Sequence, residues 1–84
     1  MKFRVEHIFS SQRPVSFIVR QLEDGNFSLS TSPRFAGVPL QRTLTQPRAL
    51  KPDGSPDPSV FIFTLTDARN AESLSVGQIA EFEP

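Results

Sequence analysis

Apolar and polar side chains alternate with a period of two along several segments of the chain, which is the pattern of half-buried β-strands. In the first segment, Phe3, Val5 and Phe9 alternate with charged residues, so we predict a strand over 2–9. Residues 15–22 are apolar on much of both faces. A strand with two apolar faces is covered on both sides, and we predict that this one is central in its sheet.

A Glu-Asp-Gly-Asn turn at 23–26 separates this second segment from a third, which alternates over 26–31. Asp-Gly between two alternating segments is among the strongest short-range signals for a hairpin, because glycine adopts positive φ without steric cost. We therefore predict that 15–31 forms a hairpin whose second strand returns beside the first.

The second half of the chain predicts three further strands, at 40–45, 59–66 and 78–82. Six short strands at hairpin-like spacing indicate an all-β fold, namely a small six-stranded closed or nearly closed β-barrel with at most one short helical turn. A chain of 84 residues closes one core, so we predict a single domain over 1–84. The predicted core consists of Phe3, Val5, Phe17, Val19, Phe27, Leu29, Leu44, Phe61, Phe63, Leu65, Ile79 and Phe82.

The connections are predicted from proline, glycine and a capping residue. Residues 32–37 and 46–58 are predicted to be loops, and the second of these holds four of the eight prolines. Proline fixes φ and lacks a backbone donor, so this long loop is held by its prolines more than by packing. Asp67 is predicted to cap the short helical turn at 68–72, because its carboxylate can accept the free N–H groups of a first turn.

Composition indicates which residues form the core and in which compartment the chain is expected. Eight Phe residues are available for the core, whereas Cys is absent, so no disulfide or thiolate metal site is predicted. The first residues alternate in charge and lack the apolar region of a signal peptide. No apolar run approaches the ~20 residues that cross a bilayer. We therefore expect a cytoplasmic chain without membrane contact.

Charge is neutral in total but uneven along the chain. Residues 25–52 carry four cationic residues and no acidic residue, whereas 53–84 carry six acidic residues and one Arg. One interpretation is that the two segments pair with each other inside the fold. The other is that the basic segment forms an anion-binding face.

The candidate binding residues come from this acid-free segment: Arg34, Phe35, Arg42, Arg48 and Lys51. An exposed aromatic ring beside Arg suits phosphate contact combined with base stacking. Alternatively, Phe35 closes the end of the barrel. The isoelectric point of about 6.6 lies well below that of domains that bind nucleic acid non-specifically, which argues against the nucleic-acid interpretation.

Catalytic constellations are not found in the sequence. His7 is the only His, and no Cys is present to act as a nucleophile. The two glycine-rich phosphate-binding motifs, Gly-x-x-x-x-Gly-Lys-Ser/Thr and Gly-x-Gly-x-x-Gly, do not occur. Asp53 and Asp57 share one loop, but the loop lacks the ligand order of a calcium site, so we predict a turn. We therefore expect neither catalytic residues, nor a cofactor, nor a metal.

Three segments resemble the β-barrel domain II of translational GTPases of the elongation factor Tu type. They are Val-Glu-His-Ile-Phe-Ser at 5–10, the predicted hairpin with its turn at 23–25, and Leu-Ser-Val-Gly-Gln-Ile at 74–79. Together they cover about half of the chain, and the loop at 46–58 has no counterpart in that family. The resemblance implies a barrel that contacts RNA or a protein partner within a larger system, and it transfers no binding residue.

The functional expectation is a non-enzymatic protein-interaction module of a small cytoplasmic protein, because catalytic groups are lacking and the proline-rich loop is long. The alternative is an RNA-binding or translation-associated accessory barrel that uses the basic segment 34–51. Because RNA binding of this kind rests on phosphate contacts, the alternative predicts an affinity that falls steeply with salt.

Overall fold

The fold consists of six strands and one short helix. The computed structural model describes all residues, 1–84. Four of the six predicted strands, at 2–9, 15–22, 59–66 and 78–82, form close to their predicted positions, and the all-β class is confirmed. The strands predicted at 26–31 and 40–45 are not formed, and only isolated bridges at Leu40 and Thr45 occur in the second of these segments. The elements in chain order are β1 (Lys2–Phe9), β2 (Ser16–Gln21), β3 (Arg34–Phe35), β4 (Val38–Pro39), β5 (Val60–Thr64), a 3₁₀ helix (Ala68–Ser73) and β6 (Ile79–Glu83).

The six strands form one antiparallel sheet in the order β4-β3-β6-β1-β2-β5, which curves into an open half-barrel. Only isolated bridges, from Leu40 to Leu65 and from Thr45 to Ile62, connect the region after β4 with β5. Closure of a barrel requires a continuous ladder between the two edge strands. The prediction of a barrel is therefore correct in strand number, but the sheet is open where closure was expected.

The core lies on the concave side of the sheet and is built around Phe3. The ring centroid of Phe3 lies 5.2 to 6.4 Å from those of five other Phe residues, all in edge-to-face geometry. Such pairs contribute about 0.5–1.5 kcal/mol each beyond the burial of apolar area. The buried cluster consists of Phe3, Val5, Val15, Phe17, Val19, Phe35, Val38, Leu40, Phe63, Leu65, Leu74 and Phe82.

Two residues predicted for the core are exposed. Ile79 is 57% exposed because it stands three positions before the buried Phe82 in β6, and residues three apart on a strand point to opposite faces. Leu44 is 39% exposed and lies in a segment that forms no strand and pairs with β5 only through the isolated bridge from Thr45 to Ile62, so no alternation directs its side chain into the core. The prediction for both side chains was wrong.

The predicted hairpin over 15–31 is not formed. β2 pairs with β1 on one side and with β5 on the other, so 26–31 has no free edge of β2 to join. Instead, 22–33 runs as an irregular segment over the core, and Phe27 contacts the Phe61 ring at a centroid distance of 4.9 Å. The tight hairpin lies at 34–39, and its turn falls in 32–37, which was predicted to be a loop: β3 and β4 are joined by Ala36 and Gly37, both at positive φ.

The predicted helical turn is confirmed. Asp67 is the N-cap of the 3₁₀ helix, and its Oδ1 accepts the backbone N–H of Arg69 at 3.0 Å. This helix has six residues, and none of the helical structure could span a lipid bilayer.

Candidate functional site

The four predicted cations lie on three separate parts of the fold. Arg34 stands on β3 and donates to the Gly37 carbonyl at 2.9 Å, and Arg42 lies between the two bridge residues Leu40 and Thr45. Arg48 and Lys51 share the loop at 46–58. All four are exposed, and the ion pairs of the chain involve other cations. The acidic segment therefore does not neutralise them.

Phe35 was predicted to be an exposed stacking partner of Arg34, and this is wrong. Its side chain is completely buried, with ring centroids 5.7 Å from Phe17 and 6.3 Å from Phe63. Alternation along β3 explains the difference, because the exposed Arg34 forces its neighbour to face the interior. The alternative, in which Phe35 closes the end of the barrel, agrees with this burial, although the sheet is open and the ring belongs to the core cluster.

The proline-rich loop at 46–58 is folded back on itself. At its tip, Lys51 donates its backbone N–H to the Ser55 carbonyl at 2.8 Å. Nearer the base, the Asp57 N–H donates to the Ala49 carbonyl at 2.9 Å. At the base itself, Gln46 Nε2 donates to the Pro58 carbonyl at 2.8 Å. The two legs of the loop are therefore tied together at three levels.

Asp57 anchors this loop to the sheet. Its Oδ2 accepts from Arg20 Nη1 at 2.7 Å, and its Oδ1 accepts from the Ser59 hydroxyl at 2.6 Å and the Ser59 N–H at 3.0 Å. These Ser59 bonds, together with the Arg20 guanidinium, hold the pKa of the Asp57 carboxyl well below its usual range. The loop is thus fastened to β2 by an ionised carboxylate.

Arg20 also connects the loop to β1. A register shift between Val5 and His7 leaves Glu6 in a bulge, where its Oε1 accepts from Arg20 Nε at 2.7 Å. The Arg20 contact, with a smaller contribution from Arg4, lowers the pKa of Glu6. β1, β2 and the loop are therefore joined by one chain of charged contacts on the convex face of the sheet.

A first groove, which we call the acidic groove, opens beside the start of β5 with a volume of about 510 Å³. The half-buried rings of Phe27 and Phe61 lie in it, and Leu22 and Leu44 line it with 41% and 39% of their surface exposed. Its only charged lining residues are acidic. The full lining is Gln21, Leu22, Glu23, Asp24, Gly25, Asn26, Phe27, Leu44, Gln46, Pro58, Ser59 and Phe61.

A second groove, the loop groove, adjoins the first with a volume of about 410 Å³. The two grooves share Gln46 and Pro58, the pair that closes the base of the loop. Leu50, with 68% of its surface exposed, is the largest apolar residue of this lining. The full lining is Gln46, Pro47, Arg48, Ala49, Leu50, Pro56, Asp57 and Pro58.

His7, the only imidazole, lies outside both grooves. It is exposed on β1, and its ring packs edge-on against Phe9 with a centroid distance of 4.6 Å. The grooves themselves present carboxylates, side-chain amides and apolar carbon. This combination can hold an extended polypeptide through hydrogen bonds and apolar contact.

Sequence reasoning missed both grooves and the Arg20–Asp57 contact. Asp57 and Ser59 form a local Asx-type turn that the Pro-Asp-Pro-Ser sequence could have indicated. The partner Arg20 lies 37 residues away, and no local pattern indicates that contact. The acidic groove likewise combines residues from three segments, 21–27, 44–46 and 58–61, whereas the loop groove lies within 46–58. No protein-family model, curated protein or solved structure matches the chain.

Proposed function

We propose that this chain is a non-enzymatic protein-interaction module that binds an extended segment of a partner protein across the acidic groove and the loop groove. The resemblance to the barrel of translational GTPases stays a prediction, and it is compatible with such a role.

The supporting observation is the placement of exposed leucines. Five large apolar side chains are exposed on the chain, and three of them, Leu22, Leu44 and Leu50, line the two adjoining grooves. Covering such side chains with a partner gains about 25 cal/mol per Å² of apolar surface. Clustering of exposed apolar residues around a concave surface is typical of an interaction site.

Selection from a peptide display library on the immobilised chain tests this proposal. We expect the selected peptides to bind the Leu22→Ser/Leu44→Ser variant at least about tenfold more weakly, because two apolar contacts of about 1 kcal/mol each are removed. The control is the double variant Val76→Ser/Ile79→Ser, since these two apolar side chains are also exposed, at 64% and 57%, but lie outside both grooves. Peptides that lose as much affinity for the control, or none for the leucine variant, contradict the proposal.

A second candidate function is the RNA-binding accessory barrel, and the unpaired, exposed state of Arg34, Arg42, Arg48 and Lys51 supports it. It predicts that binding of a single-stranded RNA weakens steeply with salt, with a slope of roughly 0.7 per neutralised phosphate. Arg42→Ala and Arg48→Ala would each reduce that slope, whereas Arg13→Ala, an exposed residue outside the segment, would not. Undetectable binding at low ionic strength excludes this candidate.

A further inference from the structure

The two adjoining grooves carry opposite charge. In the acidic groove the charged lining consists of Glu23 and Asp24, and neither carboxylate forms an ion pair. In the loop groove the charged lining consists of Arg48 and Asp57. Both oxygens of Asp57 are already bonded, to Arg20 and to Ser59, so the charge left for a partner is that of Arg48.

The acidic rim is held in place by the chain itself. Gln21 Nε2 donates to the Glu23 carbonyl at 2.6 Å and to the Gly25 carbonyl at 2.7 Å. These bonds fix the backbone that carries Glu23 and Asp24 next to the end of β2. A preorganised rim loses less conformational entropy when it meets a partner, which favours binding.

The base of the loop separates the two charges. The Gln46–Pro58 hydrogen bond lies between the grooves and belongs to the lining of both. Leu22 and Leu44 lie on one side of it and Leu50 on the other. A single extended segment that crosses this base therefore lies against Glu23, Asp24 and two leucines on one side and against Arg48 and Leu50 on the other.

We infer that the segment bound in the proposed function is bipolar, with Lys or Arg at the end over Glu23 and Asp24, apolar residues in the middle, and Asp or Glu at the end over Arg48. This inference rests on the proposed function and adds the chemistry of the partner. Complementary charge would set the register of the segment along the grooves and exclude segments of reversed polarity.

The probe is a synthetic peptide, Lys-Lys-Leu-Pro-Leu-Glu-Glu. It is compared with the peptide of reversed sequence, Glu-Glu-Leu-Pro-Leu-Lys-Lys, and with a version in which Gln replaces every charged residue. We expect the better of the two charged orders to bind the chain at least about fivefold more tightly than the Gln version, and to lose this advantage at high salt. Failure of both charged peptides to bind, or equal affinity for all three, overturns the inference.

Charge reversal on the chain provides the second arm. Glu23→Lys/Asp24→Lys should weaken binding of the better charged peptide about tenfold, and a peptide with Glu at both ends should recover most of that loss. The control Glu72→Lys/Glu83→Lys changes the net charge equally but lies outside both grooves. Equal weakening by the control overturns the inference, because the effect is then one of net charge.

The leucine variant separates this inference from the proposed function. If Leu22→Ser/Leu44→Ser abolishes peptide binding while the charge variants leave it unchanged, the groove function stands and the bipolar partner is wrong. If the leucine variant binds every peptide as tightly as the unaltered chain, the proposed function itself fails, and the inference fails with it.

Discussion

Arg20 is the side chain that connects three separate parts of this molecule. It stands on β2, reaches Glu6 in the bulge of β1 and Asp57 at the base of the proline-rich loop, and bonds the Ser59 hydroxyl at 3.1 Å. A planar guanidinium can serve several acceptors at once, whereas a Lys ammonium is a single point charge. Through Asp57, this one residue connects the loop, and hence the loop groove, to β2 and β1.

The Asp57 contact predicts a pH dependence of stability. Because its pKa is lower in the folded than in the unfolded chain, its stabilising contribution is complete above the ordinary Asp pKa of about 3.9 and is lost as the pH falls through the folded pKa. Asp57→Asn should therefore be less stable than the unaltered chain at neutral pH, and the difference should shrink as the pH falls below about 4.

Urea unfolding of both proteins between about pH 7 and about pH 2 measures this difference. The other carboxylates with lowered pKa are common to both proteins, so their contributions cancel. Asp24→Asn, at a side chain without an ion pair, serves as the control and should match the unaltered chain throughout. A destabilisation of Asp57→Asn that is constant with pH would show that its charge is not the cause.

Ala36 occupies a backbone conformation that suits another residue better. Its φ is 54°, and the following Gly37 has a φ of 77°, which is the pattern of a type I′ hairpin turn between β3 and β4. The left-handed region costs an ordinary L-residue roughly 1–2 kcal/mol, whereas Asn tolerates it. Ala36→Asn should therefore raise the free energy of unfolding by about 0.5–1 kcal/mol.

Urea denaturation of Ala36→Asn checks this, with Ala36→Val as the reciprocal variant. A β-branched residue at positive φ is more strained than Ala, so Ala36→Val should lower the denaturation midpoint. If both variants shift the midpoint in the same direction, the strain at this turn does not control stability.

The sequence pattern correctly predicted the burial of those side chains whose position follows from alternation within one strand. Phe3 and Val5 on β1, and Phe17 and Val19 on β2, are buried as expected, because one continuous strand sets their common face. The prediction that Ile79 is buried was wrong because Ile79 and Phe82 are three positions apart in β6. Two residues at an odd spacing on a strand point to opposite faces, so only one of them can face the core. Phe35 was not assigned to the core because β3 has only two residues, too few for an alternating strand to be recognised in the sequence.

The segment 22–33 shows how a correct local signal can give a wrong element. Gly25 does adopt positive φ, as a turn requires, but the chain leaves this turn without strand pairing. The place beside β2 is taken by β5, whose sequence is more strongly β-branched and aromatic. Which distant strand competes successfully is decided by packing across the sheet, and no short-range pattern contains that information.

Phe27 is expected to hold this segment on the core. Its ring contacts those of Phe3, Phe61 and Phe82 at centroid distances of 5.2, 4.9 and 5.3 Å. Phe27→Ala should cost about 2–3 kcal/mol, somewhat less than at a fully buried position. Leu22→Ala, in the same segment but exposed, should stay within about 0.5 kcal/mol of the unaltered chain in urea unfolding. Equal stability of the two variants would mean that the segment is not held by its ring.

The sheet as a whole remains open and yet leaves little of its edges unpaired. Along β5, Ile62 donates its N–H to the Thr45 carbonyl at 2.7 Å, and the Thr64 carbonyl accepts the N–H of Gln41 at 2.8 Å. At the opposite edge, β4 consists only of Val38 and Pro39. Short edge strands and edge prolines are common means by which sheets avoid pairing with other chains.

Pro39 is predicted to be the residue that protects the β4 edge. Phe35 and Val38 close the two-residue turn as the hydrogen-bonded pair, so the amide position of residue 39 points away from β3. Proline leaves no donor there, whereas Pro39→Val would place an additional N–H on the outer side of β4, beside the single bridge from Leu40 to Leu65. We expect Pro39→Val to self-associate with rising concentration, seen as an increase of its sedimentation coefficient.

Pro52→Val, at the tip of the proline-rich loop, removes a proline without creating an edge donor and should sediment as the unaltered chain does. Identical sedimentation of Pro39→Val and Pro52→Val at every concentration would assign the protection of this edge to the shortness of β4 alone.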